Sequence, residues 1–73
     1  MALKMETVQA ELQSWGEIMV TTSGGDVFEL HLGDTTFDLN ARTITLKGPE
    51  SEYVIDGDSI ESIEKHYGHK GSD

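Results

Sequence analysis

Apolar and polar residues alternate along residues 17–47, and short groups of turn residues interrupt the alternation. A period of two is typical of β-strands that bury one face and expose the other. The pattern therefore predicts four strands, and a fifth short strand follows a Gly-Pro loop. Their ranges are 17–22, 27–32, 35–39, 43–47 and 52–55.

Each break in the alternation has the composition of a tight turn between antiparallel strands. Gly24 and Gly25 favour a type I′ turn, because both can adopt the positive φ that this turn requires. Gly33 and Asp34 favour a type II′ turn, with glycine in the first central position. Asn40, which tolerates the left-handed conformation, opens a three-residue connection. The whole segment is predicted to form an antiparallel meander of hairpins.

The alternation also predicts which side chains of these strands lie in the core. The apolar face comprises Ile18, Val20, Phe28, Leu30, Leu32, Phe37, Leu39, Ile44 and Leu46. The opposite face comprises Glu29, His31, Thr36, Asp38, Thr43, Thr45 and Lys47. An antiparallel sheet accommodates this division, because one of its faces can remain in contact with water.

Residues 2–15 are predicted to form an α-helix, because good helix formers dominate them and apolar residues recur every three or four positions. That stripe consists of Met1, Met5, Val8, Leu12 and Trp15. Gly16 follows it and suits the position that ends a helix. Residues 7–13 also alternate between apolar and polar, so a strand is the competing interpretation. It would favour a small SH3-like or Sm-like barrel.

A second, short helix is predicted at residues 58–67. Asp58 precedes Glu61 by three residues, which is the spacing of a capping box. An apolar stripe at helical spacing consists of Ile60, Ile63 and Tyr67. Gly68 is suited to end the helix. The predicted fold is therefore α+β: one domain over residues 1–68, with a flexible polar tail at 69–73.

Composition narrows the classes of partner. The chain has 73 residues, 14 acids against 5 Lys and Arg, and a net charge of −9. Direct binding to nucleic acid or to an anionic membrane needs clustered Lys and Arg, so neither is expected. The chain contains no cysteine, which favours a reducing, cytoplasmic setting. A core this small also favours homo-oligomerisation, because association buries further surface.

No pattern of catalytic, cofactor-binding or metal-ligating residues stands out. His66 and His69 have a helical spacing, but Gly68 interrupts it and firm further ligands are missing. His31 falls on the hydrated face of a strand. The glycines occur at strand ends and form no phosphate-binding loop. The sequence therefore predicts no enzyme, no cofactor and no metal site.

The least ordinary feature is a cluster of six carboxylates at residues 50–64, with no basic residue among them. The single tryptophan, Trp15, lies at the end of the first predicted helix, and tryptophan side chains often anchor protein interfaces. The candidate interaction surface consists of Trp15, Glu50, Glu52, Asp56, Asp58, Glu61 and Glu64.

Three hypotheses for function follow. The first is a non-catalytic, acidic protein-interaction or accessory module that binds a protein partner or itself, as a homodimer. The second is an acidic antagonist that mimics nucleic acid and occupies the binding groove of a basic nucleic-acid-binding protein. The third is a small-ligand or metal-binding protein that uses His31, His66 or His69.

Overall fold

A computed structural model describes residues 2–67 of the chain. One α-helix, α1 (Met5–Trp15), precedes six strands that form two antiparallel three-stranded sheets. The strands are β1 (Glu17–Thr22), β2 (Val27–His31), β3 (Thr35–Asp38), β4 (Thr43–Lys47), β5 (Glu52–Asp56) and β6 (Ile60–Glu64). The first sheet has the order β2-β1-β6 and the second has the order β3-β4-β5. The α+β class is confirmed, but the structure has six strands where five were predicted.

The predicted N-terminal helix forms, and its apolar stripe enters the core. Met5, Val8 and Leu12 are buried. Gly16 ends the helix in the left-handed conformation, with φ of 98°, and its N–H donates to the Leu12 carbonyl. The strand at residues 7–13, on which the barrel alternative depended, is therefore not present. Among residues 2–67, no helix combines the length and apolar character that crossing a bilayer requires.

The core lies where the inner faces of the strands meet α1. Its buried side chains are Met5, Val8, Leu12, Ile18, Val20, Leu30, Ile44, Ile55 and Ile60. Phe28, Phe37 and Leu46 are partly buried against it. Most of the apolar face predicted from the alternation is thus confirmed.

The predicted meander is wrong at one point, because β2 and β3 do not pair and belong to different sheets. The chain turns after His31, whose carbonyl accepts a hydrogen bond from the Asp34 N–H. Gly33 has no positive φ, so the type II′ turn is absent. Because this turn carries the chain from one sheet to the other, Leu32 leaves the core and is 54% exposed. Leu39, in the β3–β4 loop, is 42% exposed and was also wrongly placed in the core.

The two hairpin turns also differ from the prediction. Between β1 and β2, only Gly25 has a positive φ, and Thr22 donates its N–H to the Asp26 carbonyl around a three-residue loop. This loop pairs Val20 with Phe28 and so keeps both on the apolar face, which a two-residue turn would not. Between β3 and β4, the left-handed residue is Arg42, with φ of 60°, and not Asn40.

The predicted C-terminal helix is wrong, because residues 60–64 form β6, which pairs with β1. Thr22 lies opposite Ile60 and Thr21 lies opposite Ser62, so Glu61 is the extra residue of a β-bulge. The bulge restores both Ile60 and Ile63 to the core side, and their spacing of three imitates a helical stripe. Gly68 and the predicted tail at 69–73 lie outside the described residues.

Candidate functional site

A groove of about 280 Å³ separates β5 from the β1–β2 hairpin. Its lining residues are Thr22, Ser23, Gly24, Asp26, Phe28, Val54, Ile55, Asp56 and Ser59. Beside it, the rings of Phe28 and Tyr53 pack with their centroids 5.5 Å apart and so connect the two sheets. The groove exists because the chain changes sheets after β2, which leaves β2 and β5 at the edges of separate sheets.

The outer edge of β5 pairs with no other strand among residues 2–67. The Gly57 N–H donates to the Arg42 carbonyl, which sets the alternation of hydrogen bonds along the β4–β5 ladder. By that alternation, the main-chain groups of Glu52, Val54 and Asp56 point away from β4. Such an edge can accept a further strand.

The side chains of this region are unusually apolar for an exposed strand. Val54 is 65% exposed, and Tyr53, which packs against Phe28, is 49% exposed. Of the five residues of β5, only Ile55 is buried. Exposed apolar side chains that gather at one place often mark a binding surface, whereas scattered ones do not.

The charge of the groove is negative. Asp26 and Asp56 are its charged lining residues, and no Lys or Arg among residues 2–67 lines it. Glu52 adds a carboxylate on the same strand, opposite Lys47 of β4. Carboxylates placed at the rim of an apolar groove favour a partner with basic side chains.

Arg42 holds the turn that leads out of β5. Its Nη1 donates to Glu6 Oε2 at 2.7 Å, and its Nε and Nη2 donate to the Asp58 carboxylate at 2.9 and 2.7 Å. These charge-assisted bonds lower the pKa of Glu6 from 4.5 to about 2 and lower the pKa of Asp58. Asp58 Oδ1 also accepts from the Met5 N–H, at the start of α1.

The end of β5, which borders the groove, is tightly packed. Gly57 is buried there, and a Cβ on it would overlap Met5 Sδ and lie 3.0 Å from the Arg42 carbonyl oxygen. The turn, the helix start and the β3–β4 loop are thus packed against one another. This packing positions Asp56 at the groove.

The structure distributes the six predicted carboxylates rather than placing them on one strand and one helix. Asp56 lines the groove, Glu52 lies on β5, and Glu50 lies in the exposed loop before it. Asp58 is bound to Arg42. Glu61 is the bulge residue of β6, and Glu64 pairs with His66 at 3.0 Å on the outer face of the first sheet.

Trp15, the seventh predicted residue, is half-buried at the end of α1. Its ring packs edge-on against Tyr67, with centroids 6.0 Å apart, and Lys65 Nζ lies 5.1 Å from its centroid. Lys65 in turn pairs with Glu11 at 2.7 Å. Trp15 therefore connects the helix with the residues after β6.

A second polar cluster surrounds His31 on the outer face of the first sheet. Glu17 lies directly opposite His31 in the β1–β2 ladder, and their side chains are 3.2 Å apart. Glu29 Oε2 lies 3.6 Å from the same imidazole nitrogen, and Asp34 Oδ2 lies 3.3 Å from the other. The hydrogen bond between the Glu17 and Glu29 carboxyls, followed by desolvation, raises the pKa of Glu29.

Sequence reasoning placed His31 on the hydrated face but missed Glu17, Glu29 and Asp34 as its neighbours. The signal that could have found them is the register of the β1–β2 hairpin. The predicted two-residue turn would have set Leu32 opposite Glu17, whereas the three-residue loop sets His31 there. Phe28 and Val54 were missed as groove residues because the meander was expected to be continuous.

Comparison with known proteins gives no relative: no protein-family model, no curated protein and no solved structure matches the chain.

Proposed function

We propose that the protein is a non-catalytic interaction module that binds an extended, basic segment of a partner protein along β5. The observation that carries this proposal is the outer edge of β5, which borders an acidic groove and exposes Val54. Because the chain also lacks cysteine, we place this activity in the cytoplasm.

Strand addition would use the main chain for affinity and the side chains for specificity. The outward N–H and carbonyl groups of Glu52 and Val54 and the outward N–H of Asp56 would pair with the added segment, whereas the Asp56 carbonyl already accepts from Ser59. Apolar side chains of the segment would contact Phe28 and Val54 in the groove. Lys or Arg side chains at alternate positions would lie near Asp26 and Asp56.

Self-association through the same edge is less favourable on electrostatic grounds. If two copies paired their β5 strands antiparallel about Val54, Glu52 of one copy would lie opposite Asp56 of the other. Like charges directly opposite each other destabilise a strand pair. Each chain also carries a net charge of −9, so a dimer would concentrate negative charge further. A basic partner relieves both effects.

The acidic antagonist is the second candidate, because the same carboxylates that attract a basic peptide could face the phosphate-binding surface of a nucleic-acid-binding protein. In that case a whole folded basic surface would bind, and nucleic acid would compete with the protein. An extended peptide alone would then show no measurable affinity. The two candidates therefore make opposite predictions for isolated peptides.

The test is selection of random twelve-residue peptides displayed on phage against the full-length protein. We expect the selected peptides to alternate basic and apolar residues and to bind the purified protein in a salt-dependent manner. The double variant Asp26→Lys/Asp56→Lys should lose this binding. The matched control Glu50→Lys/Glu61→Lys makes the same change in net charge away from the groove and should retain most of it.

Three results would count against the proposal. Selection of peptides without basic residues would remove the electrostatic argument. Equal loss of binding in both double variants would show that net charge alone, and not the groove, attracts the peptides. A protein that instead elutes as a concentration-dependent dimer, with no peptide selected, would favour self-association.

A further inference from the structure

The geometry around His31 points to a site for a divalent transition-metal ion of the zinc class, with Glu17, Glu29 and His31 as its protein ligands. One ligand atom from each of the three residues lies within 4.8 Å of the others. The three residues come from two neighbouring strands of a regular antiparallel ladder, so the main chain holds them in place. This site is separate from the β5 groove and does not depend on the proposed function.

The distances fit a metal between the side chains. Ligand atoms at about 2.1 Å from zinc, at tetrahedral angles, lie about 3.4 Å from one another. His31 Nε2 lies 3.2 Å from Glu17 Oε2 and 3.6 Å from Glu29 Oε2, on either side of that value. Only small side-chain movements are therefore needed for all three atoms to bind one ion.

Asp34 independently supports a metal site, because its carboxylate pairs with Nδ1 of His31, the imidazole nitrogen that would not bind the ion. Asp34 Oδ2 lies 3.3 Å from Nδ1, and Asp34 Oδ1 accepts hydrogen bonds from the His31 N–H and the Thr35 hydroxyl. An imidazole that donates Nδ1–H to a carboxylate directs the lone pair of Nε2 outward. A histidine that binds a metal through one ring nitrogen usually donates a hydrogen bond from the other to a group such as a carboxylate.

The pairing of Glu17 with Glu29 points in the same direction. Two carboxyls that meet on a surface repel each other when both are ionised, and Glu17 and Glu29 each contribute a carboxylate oxygen to the same cluster. A divalent cation between them removes that repulsion. The arrangement thus becomes more favourable when an ion binds.

The donor set selects the class of ion. Ca²⁺ and Mg²⁺ prefer all-oxygen sites, whereas imidazole with carboxylates suits Zn²⁺, Ni²⁺ and related ions. Three protein ligands leave a coordination position for water or for a group from a partner.

The experiment uses the tag-free, full-length protein and zinc alone, in competition with a chromophoric chelator. We expect one equivalent of Zn²⁺ to bind. Loss of an outer partner costs about 10–100-fold in metal affinity, so Asp34→Asn should weaken binding about tenfold and His31→Ala about 100-fold or more. Circular dichroism and the thermal midpoint of each variant establish that it is folded.

The matched control is the double variant His66→Ala/His69→Ala, which removes the other two histidines. It should still bind one equivalent of zinc, because Glu17, Glu29 and His31 all remain, although the charge of His66 acts on Glu29. Nitrogen-15 spectra of the imidazoles should also show a zinc-dependent shift at Nε2 of His31. The proposal is overturned if His31→Ala binds zinc as tightly as the original protein. It is equally overturned if the His66→Ala/His69→Ala variant abolishes binding.

Discussion

Ile60 and Ile63 both face the core although they lie three residues apart on one strand. In a regular strand, residues at that spacing point to opposite faces. Glu61, the unpaired residue of the bulge opposite Thr21 and Thr22, shifts the alternation by one position and brings both isoleucines to the same side. The bulge therefore decides how β6 closes the first sheet.

We predict that deletion of Glu61 destabilises the protein far more than its substitution. Without the extra residue, either Ile60 or Ile63 must turn outward, and Ile60→Ala alone should cost about 2–5 kcal/mol because that side chain is fully buried. Glu61→Ala should change the free energy of unfolding by less than about 0.5 kcal/mol, since its side chain is exposed. Urea denaturation monitored by Trp15 fluorescence measures all three variants. If the Glu61 deletion variant and Glu61→Ala had the same free energy of unfolding, Glu61 would not be the extra residue of a bulge.

Gly57→Ala should destabilise the protein by about 1–3 kcal/mol, because the new methyl group would overlap the Met5 side chain within a packed turn. Gly24→Ala is the matched control, since a Cβ there would have only ordinary contacts at 3.9 Å. The control should change stability by less than about 1 kcal/mol. A Gly57→Ala protein as stable as the control would show that the helix start does not pack against this turn.

The Arg42 ion pairs should make stability dependent on pH at the acid end. The pKa of Glu6 is lowered to about 2 and that of Asp58 is lowered too, so the unfolded chain binds more protons than the folded protein over this range. The stabilisation is complete above the ordinary pKa of 4.5 and is lost as the pH falls towards 2. Arg42→Met should therefore lower the urea midpoint at pH 7 and have little effect near pH 2.

Lys47→Met is a suitable control for that experiment, because it removes a positive charge from an exposed strand position away from the Arg42 ion pairs. Its effect on the urea midpoint should vary much less between pH 7 and pH 2. A difference between Arg42→Met and the original protein that persists unchanged at pH 2 would show that Arg42 stabilises by packing rather than by charge.

Local patterns were sufficient to predict the helix and most of the core. The stripe that contains Met5, Val8 and Leu12 agrees with the composition of α1, so two independent signals indicate the same element. The alternation around Val20 and Phe28 assigns the buried face correctly, because one face of a strand must be covered.

The remaining features depend on contacts distant in sequence. The bulge at Glu61 gives β6 the apolar spacing of a helix, and only pairing with β1 distinguishes the two. The role of Arg42 depends on Glu6, which lies 36 residues earlier in the chain. The groove follows from the change of sheet after β2, where nothing in the Leu32–Gly33 pair distinguishes a hairpin from a crossing between sheets.

The most direct test of the central claim is amide hydrogen exchange of β5, with and without a saturating selected peptide. If a basic segment adds to this edge, the N–H groups of Glu52, Val54 and Asp56, which point away from β4, should donate to the peptide, and at least the Val54 amide should become protected by tenfold or more. The amide of Tyr53, which faces β4, should change much less. Peptide binding that leaves the Val54 amide unprotected would contradict strand addition at β5.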